Sequence, residues 1–239
     1  MTSLRITTCR LPSSFSVGKA NEKGLAPTEW LRKSLSRFVK EARQEIMNQG
    51  GDPSLFYNHL PVDGKTRIGY PLVIYHFIDG CFYITGINEG SISLRSFAEL
   101  NNKPFWVDDF RFDGLQIVHE ASIQAGICNK ENRYSLTHWL PLHHKDLKGY
   151  KEISLEEKTL VLNERLHKHI VQELGKYLKI NFEGLSVRIT DITFVHKPVF
   201  YKKYEYPGLD IIFTANAVLP QGFTLGNNKS LGFGRIEPL

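Results

Sequence analysis

The chain has 239 residues, of which 41% are hydrophobic, so wholesale disorder is excluded and one large domain or two small ones can form. The formal net charge of +5 permits a nucleic-acid partner without requiring one. The three cysteines (Cys9, Cys81 and Cys128) lie far apart, which excludes a disulfide framework or zinc ribbon, and no apolar run or leader pattern indicates a membrane protein. We therefore expect a reduced, cytoplasmic setting with no membrane partner.

The first half of the chain alternates between strand and helix patterns. Alternating residues 4–8 predict a strand, and residues 27–48 predict a helix, with Leu31, Leu35, Phe38, Ala42 and Ile46 on its buried side. Two β-rich runs, 71–78 and 81–87, are joined by Asp79-Gly80, which predicts a hairpin. A short helix over 91–100 and a strand over 110–122 follow. This β-α-β-β-α-β order predicts a ferredoxin-like unit.

The second half begins the pattern again. It predicts a strand over 134–142, a helix from the capping box Ser154–Glu157 to about residue 178, and strands over 185–200 and 209–219. The buried stripe expected on this helix consists of Leu162, Leu166, Ile170, Leu174 and Tyr177. No second helix follows, and a glycine-rich run leads to a last strand over 232–237. The predicted fold is α+β, with two tandem ferredoxin-like (RRM-like) domains, 1–125 and 126–239, the second modified by a C-terminal glycine-rich loop.

The glycine-rich run, residues 221–235, combines flexible backbone with positive charge. Glycine permits positive φ, and exposed N–H groups in such loops can cradle phosphate. Lys229 and Arg235 have the charge that a phosphate requires, although a plain flexible hairpin fits the run equally well. No glycine directly precedes Lys229, so this is no P-loop, and no dinucleotide fingerprint opens a helix.

One connection, between the first helix and the hairpin, carries residues suited to acid–base chemistry: Tyr57, His59, Lys65 and Arg67. Histidine, with a pKa of about 6.5, can take a proton from a ribose 2′-OH or give one to a leaving oxygen. Lysine and arginine can stabilise the charge that grows on a phosphorane. The other histidines show no metal-ligand spacing, so no metal and no cofactor are expected.

Three segments together resemble the CRISPR repeat-processing endoribonucleases: F-Y-N-H before a Y-P-L-V-I-Y strand and hairpin, W-L-P-L, and L-G-N-N-K-S-L-G-F-G-R near the end. The likeness is to the type I-B branch of this RNA-binding superfamily. It implies metal-independent cleavage of CRISPR repeat RNA in the precursor transcript, by 2′-OH attack that leaves a 2′,3′-cyclic phosphate and a 5′-OH.

The resemblance also implies roles for individual residues. His59 matches the general acid or base, and Tyr57 stands where relatives often carry a first histidine, so the acid–base partition stays open. Tyr57, His59 and Lys65 form the expected catalytic set. The expected RNA contacts are Arg32, Lys33, Arg37 and Lys40 on the first helix, Arg67, and Gly226, Lys229, Gly232, Gly234 and Arg235 in the glycine-rich loop.

Two other functions compete with the nuclease. The first is a non-catalytic RNA-binding subunit of a CRISPR effector complex, favoured by the loss of the first histidine and opposed by His59. The second is a metal-dependent hydrolase that uses the scattered histidines, which predicts loss of activity in chelator. Whether the chain is a monomer or a homodimer, and whether effector subunits are partners, is left open by the sequence.

Overall fold

The structure, a computed structural model, describes residues 1–12, 26–57, 69–107, 110–142, 146–194, 199–201, 204–206 and 208–239. Its strands are β1 (Thr2–Leu11), β2 (Val73–Ile78), β3 (Cys81–Ile87), β4 (Phe105–Val107), β5 (Phe110–Phe112), β6 (Gln116–Trp139), β7 (Val187–Phe194), β8 (Val199–Tyr201), β9 (Tyr204–Tyr206), β10 (Leu209–Val218) and β11 (Arg235–Pro238). Its α-helices are α1 (Pro27–Glu41), α2 (Arg43–Asn48), α3 (Glu89–Leu100), α4 (Leu147–Glu152) and α5 (Leu155–His169). None of the helices in these ranges is long and apolar enough to cross a membrane.

The chain forms two units. The first unit comprises Leu4–Ile123 and Ser230–Gly232, and the second comprises Met1–Ser3, Gln124–Lys229 and Phe233–Leu239. Strand β6 contributes residues to both units. The division into domains 1–125 and 126–239 stays a prediction.

The first unit has the sheet order β2-β3-β1-β6, in which the fourth strand of the fold lies beside the first. This is the ferredoxin-like arrangement that the sequence predicted. The hairpin between β2 and β3 turns at Asp79 and Gly80, both with positive φ (48° and 78°), as a type I′ turn requires. A small hairpin, β4–β5, was not predicted.

The helices of the first unit cover a core of aliphatic and aromatic side chains. Trp30, Leu31, Leu35 and Val39 of α1 are buried in it. The single helix predicted over 27–48 is wrong, because a turn at Ala42 separates α1 from α2. The chain stays amphipathic across this turn, since Ile46 is fully buried after it. Hydrophobic periodicity alone therefore did not reveal the break.

The second unit repeats the arrangement. β6 pairs with β10 on one side and with β11 on the other, and β10 pairs with β7, giving the order β11-β6-β10-β7. Burial alternates without exception along β10 (Leu209–Val218), as predicted for a strand with one covered face. In the described part of the chain between β10 and β11, the only helical residues form a 3₁₀ turn, Lys229–Leu231. No α-helix therefore follows β10 in this described part of the second unit, whereas the glycine-rich loop stays a prediction.

β6 is a single strand of 24 residues, whereas the sequence predicted separate strands over 110–122 and 134–142. The first of these predictions fails at Gly114, whose φ of +90° turns the chain between β5 and β6. The polar run around Asn132 resembles a boundary loop, but it forms a bulge against β10. There Asn132 Nδ2 donates to the Ala217 carbonyl at 3.1 Å.

Helix α5 begins at the predicted capping box, in which Ser154 accepts from the Glu157 amide and the Glu157 carboxylate accepts from the Ser154 amide. After His169 it continues as a π-helical segment, Ile170–Lys176. Leu162, Leu166, Ile170 and Leu174 are buried as predicted, but Tyr177 is 39% exposed and Leu178 is buried in its place. The wider π turn shifts the buried stripe by one residue, which a 3.6-residue period does not anticipate.

Candidate RNA-binding and catalytic site

Much of the predicted catalytic connection falls outside the described residues: His59, Lys65 and Arg67 all lie between residues 58 and 68. Tyr57, which precedes that range, ends a 3₁₀ turn (Pro53–Tyr57). The turn is anchored by Leu55 and Phe56, both buried in the core of the first unit. The chain therefore enters the predicted catalytic connection from a fixed point.

Tyr57 is half-buried, and its phenol donates to the main-chain carbonyl of Ser36 on α1 at 2.7 Å. Burial raises the pKa of Tyr57 to about 12. The neighbouring phenol of Tyr75 is fully buried and donates to the carbonyl of Phe56 at 3.1 Å. Burial raises the pKa of Tyr75, and the positive charge of Arg32 opposes that shift. Both tyrosines are therefore neutral at physiological pH, and Tyr57 is tied to α1.

Arg32 is the best placed of the predicted RNA contacts on α1. It is half-buried, and its Nη1 donates to the hydroxyl of Ser230 at 3.4 Å. Within the described ranges it has no carboxylate partner. A guanidinium in this state is suited to bind a phosphate of an incoming ligand.

The segment Ser230–Gly232, which belongs to the first unit, packs on α1 and β2. Thr28 Oγ1 donates to the Leu231 carbonyl at 2.9 Å. Gly232 has a φ of +81°, and a Cβ at this position would lie 2.5 Å from the Tyr75 carbonyl oxygen. The predicted contact residues Arg32 and Gly232 are thus brought together through the neighbouring Ser230.

The remaining basic residues of α1 differ from Arg32 in their ionic partners or in their exposure. Lys33 pairs with Glu29 at 3.0 Å, and Arg37 pairs with Glu41 at 2.8 Å. Lys40 is exposed and has no ionic partner in the described parts of the chain. Exposed pairs of this kind contribute little to stability, yet they offset the positive charge available to RNA. The assignments of Lys33, Arg37 and Lys40 stay predictions.

In the second unit, Lys229 forms a nearly buried ion pair with Glu173 of the π-helical segment. Their Nζ and Oε1 atoms are 3.0 Å apart, with side chains only 21% and 13% exposed. The other carboxylate oxygen of Glu173 accepts from the Gly226 amide at 3.0 Å. Burial raises the pKa of Glu173, while the charge of Lys229 and the Gly226 N–H oppose that shift. Sequence reasoning missed Glu173, because one acidic residue beside an apolar stripe is the usual pattern of an exposed helix face.

Gly226 and Gly234 are required because backbone carbonyls leave no room for a side chain at either position. A Cβ at Gly226 would lie 2.8 Å from the Leu140 carbonyl oxygen, and one at Gly234 would lie 2.0 Å from that of Leu225. The Gly234 amide donates to the His138 carbonyl at 3.1 Å, as the Gly226 amide does to Glu173. Both amides that the sequence suggested for phosphate therefore already have protein acceptors. Their part in RNA binding, like that of Lys229, stays a prediction.

Arg235, at the start of β11, forms an ion pair with Glu237 of the same strand. Its side chain is 27% exposed. Its assignment as a phosphate contact also stays a prediction, and the pairing weighs against it. In the parts of the chain that the structure describes, no three His, Cys, Asp or Glu side chains cluster as ligands for a metal ion.

Family models for two Cas6b domains match the chain, the Cas6b N-terminal domain over residues 29–119 and the Cas6b C-terminal domain over residues 126–239. A search of curated protein sequences found no match. Among solved structures, the chain is similar to one described as Cas6b (TM-score 0.75, 21% identity) and to one described as the CRISPR RNA processing endoribonuclease Cas6b (TM-score 0.69, 21% identity). It is also similar to Csf5, described as a CRISPR-Cas type IV Cas6 crRNA endonuclease (TM-score 0.55, 13% identity). Each of these matches covers 100% of both chains, and at these identities they establish the tandem ferredoxin-like fold.

The two domain models together account for most of the chain, in the order in which the sequence and the structure place its two halves. The resemblance inferred from the sequence motifs is thereby confirmed: the chain belongs to the Cas6b family.

Proposed function

We propose that the chain is an endoribonuclease that cleaves CRISPR repeat RNA in the precursor transcript and so releases guide RNAs. The observation that carries this proposal is the match of both Cas6b domain models, over residues 29–119 and 126–239. The similarity to a structure described as a CRISPR RNA processing endoribonuclease supports it. We further propose that the reaction takes place in the cytoplasm and requires no metal or cofactor.

In the proposed reaction, the ribose 2′-oxygen attacks the adjacent phosphorus. The bond from phosphorus to the 5′-oxygen breaks, leaving a 2′,3′-cyclic phosphate and a 5′-OH. One proton leaves the 2′-OH and one is delivered to the 5′-oxygen, and His59 carries at least one of these transfers because its usual pKa is near neutral pH. Lys65 stabilises charge on the phosphorane oxygens, and Arg67 holds the backbone.

Tyr57 supports this reaction by positioning. Its phenol is bonded to α1 at Ser36 and holds its proton at physiological pH. It is therefore a poor general base, and it fixes the start of the connection that carries His59. The RNA strand is proposed to contact Arg32, Lys33, Arg37 and Lys40 together with Gly226, Lys229, Gly232, Gly234 and Arg235. Arg32 is the strongest of these assignments, because it is half-buried beside Ser230 and has no carboxylate partner among the described residues.

The test is to incubate the purified chain, in EDTA, with the repeat RNA of its own CRISPR array. A matched set of RNAs carries a single 2′-deoxy sugar at each candidate position in turn. We expect cleavage at one position in EDTA, blocked by one deoxy substitution and leaving a cyclic phosphate. Cleavage that stops in EDTA and returns with a divalent metal would instead support a metal-dependent hydrolase.

A second candidate is an RNA-binding subunit without nuclease activity in a CRISPR effector complex. It is favoured by Tyr57, which replaces the first of two histidines that relatives often carry and whose phenol donates to the Ser36 carbonyl. Tight binding of the repeat RNA with no cleavage at any position would support this candidate. Light scattering of the same samples would decide between a monomer and a homodimer.

A further inference from the structure

Arg10 resembles Arg32 in being a half-buried arginine that lacks a carboxylate partner among the described residues. Of the half-buried arginines, Arg165 pairs with Asp146 and Arg235 with Glu237. Arg10 and Arg32 have no carboxylate partner in the described ranges. Arg10 Nη2 donates to the Cys81 sulfur at 3.4 Å, and its buried Nε–H has no acceptor among the described residues. A partly buried guanidinium without a counter-ion is costly unless a ligand supplies the negative charge.

Arg10 lies in a row of three side chains across the sheet of the first unit. Arg10 on β1 is directly opposite Tyr83 on β3, and Tyr83 is directly opposite His76 on β2. Directly opposed residues of antiparallel strands share one face, and strands lie about 4.8 Å apart, so the row spans about 10 Å. We refer to Arg10, Tyr83 and His76 as the cross-strand row.

The row lies on the face of the sheet opposite the helices. The residues next to it in sequence, Cys9, Leu11, Phe82, Ile84 and Tyr75, belong to the core that the helices cover. Because side chains alternate along a strand, the row points the other way. His76 at one end is buried, whereas Tyr83 and Arg10 are partly exposed.

The buried end of the row adjoins Ser230–Gly232, which belong to the same unit. A Cβ at Gly232 would lie 3.2 Å from Nδ1 of His76, and the Ser230 hydroxyl accepts from Arg32. A continuous strip in the first unit therefore runs from Arg32 through Ser230–Gly232 and His76 to Tyr83 and Arg10. At each end it has a guanidinium with no carboxylate partner among the described residues, and a partly exposed aromatic ring lies between them.

We infer that Tyr83 and Arg10 form a nucleotide-binding subsite for the substrate RNA, in which Tyr83 stacks against a base and Arg10 binds the neighbouring phosphate. RRM-like sheets bind single-stranded RNA through aromatic side chains on adjacent strands, and arginine forms bidentate contacts with phosphate. The inference rests on the proposed function, because it takes the same repeat RNA as ligand. It extends the proposed interface from Ser230–Gly232 across three strands of the same unit.

The test measures the affinity of the intact protein for repeat RNA that carries 2′-deoxy sugars to block cleavage, over a range of salt concentrations. Arg10→Gln should weaken binding and lower the salt slope by about 0.7–0.9, the value of one phosphate contact. Tyr83→Leu should weaken binding about 10-fold with the slope unchanged, while Tyr83→Phe should bind like the wild type. Arg111→Gln is the matched control, because Arg111 is 58% exposed and pairs with Asp113 in the same unit.

A second measurement needs no substitution. Cys81 accepts a hydrogen bond from Arg10 and is partly exposed. Cys128, in the second unit, is also partly exposed. Saturating RNA should suppress maleimide labelling of Cys81, as measured by mass spectrometry. Labelling of Cys128 should not change, and it serves as the internal reference.

The outcomes separate this inference from the proposed function. If the wild-type chain fails to bind repeat RNA, the proposed function and the subsite are both wrong. If the wild type binds and cleaves while Arg10→Gln keeps its affinity and slope and Cys81 stays reactive, the subsite alone is overturned. The inference would also be overturned if Arg10→Gln lost the same factor of RNA affinity at every salt concentration, so that the salt slope stayed unchanged. That result would indicate a structural defect, which does not alter the number of phosphate contacts.

Discussion

Tyr57 belongs to the catalytic set that the sequence predicted, and its chemistry differs from that of histidine. Its proton is donated to the Ser36 carbonyl, and burial raises its pKa to about 12. A raised pKa means that the neutral phenol persists to higher pH than the usual value of about 10. We therefore expect Tyr57 to take no proton from a 2′-OH near neutral pH, and we expect His59 to carry the acid–base chemistry.

We expect Tyr57→Phe to cleave within about 10-fold of the wild-type rate, and His59→Ala to lose a factor of about 10² to 10⁴. The pH–rate profile of Tyr57→Phe between pH 5 and 9 should keep the wild-type shape, since Tyr57 does not titrate in that window. Single-turnover cleavage at each pH measures both. Loss of one limb of the profile in Tyr57→Phe would identify Tyr57 as the proton donor.

Arg32 and Arg37 lie on the same helix and differ in their electrostatic partners. We expect Arg32→Gln to lower the salt slope of RNA binding by about 0.7–0.9, because it removes one phosphate contact. Arg37→Gln should change the slope less, because Arg37 is 81% exposed and already paired with Glu41. If the two variants lowered the salt slope equally, the result would indicate that the whole basic face of α1 contacts the RNA.

At the scale of elements, the π-helical segment Ile170–Lys176 places Glu173 against the glycine-rich loop. The apolar residues Ile170, Leu174 and Leu178 recur every four positions, and this spacing fits an α-helix and a π-helix alike. The sequence therefore predicted the helix and most of its buried stripe, but not the π turn or the partner of Lys229. Segments of this kind often occur at functional sites.

We expect Glu173→Ala to reduce the free energy of unfolding by about 3 kcal/mol, because it leaves the Lys229 ammonium nearly buried without a counter-ion. The double variant Glu173→Ala/Lys229→Ala should be less destabilised than the sum of the single variants. Urea unfolding measures all three.

RNA binding by Lys229→Ala then shows whether Lys229 braces the loop or binds phosphate. If Lys229 is a brace, the salt slope stays at the wild-type value. A slope lowered by about 0.7–0.9 would support the phosphate contact that the sequence predicted.

Across the whole molecule, the order of the main helices and of most strands was predictable from the sequence because local signals were strong. The Asp79-Gly80 turn, the Ser154–Glu157 capping box and the strand pattern over 209–219 each specify one local structure. The continuity of β6 was not predictable, because the polar run near Asn132 has the composition of a loop and becomes a bulge only when β10 is beside it. The same holds for Glu173 and Arg10. Glu173 was not predicted because its partner, Lys229, is distant in sequence. Arg10 was not predicted because its notable feature is the lack of a carboxylate partner among the described residues.

Each unit also includes a short segment that is distant in sequence from the rest of it. Met1–Ser3 belongs to the second unit, and Ser230–Gly232 belongs to the first. We therefore expect the fragments 1–125 and 126–239, expressed separately, to be poorly folded, because each lacks part of a unit and the cut falls within β6. Circular dichroism and amide exchange of the two fragments, alone and mixed, test this. Two fragments that each show protected, native-like amides would identify independent domains.

The glycines of the C-terminal loop have a consequence for how relatives of this chain are interpreted. Backbone carbonyls occupy the space where side chains at Gly226, Gly232 and Gly234 would project, and all three residues have positive φ. A descendant that lost its nuclease activity but kept its fold would still need these glycines. The glycine motif is therefore a marker of shared ancestry and architecture. Whether such a descendant still cuts RNA would have to be judged from its catalytic connection.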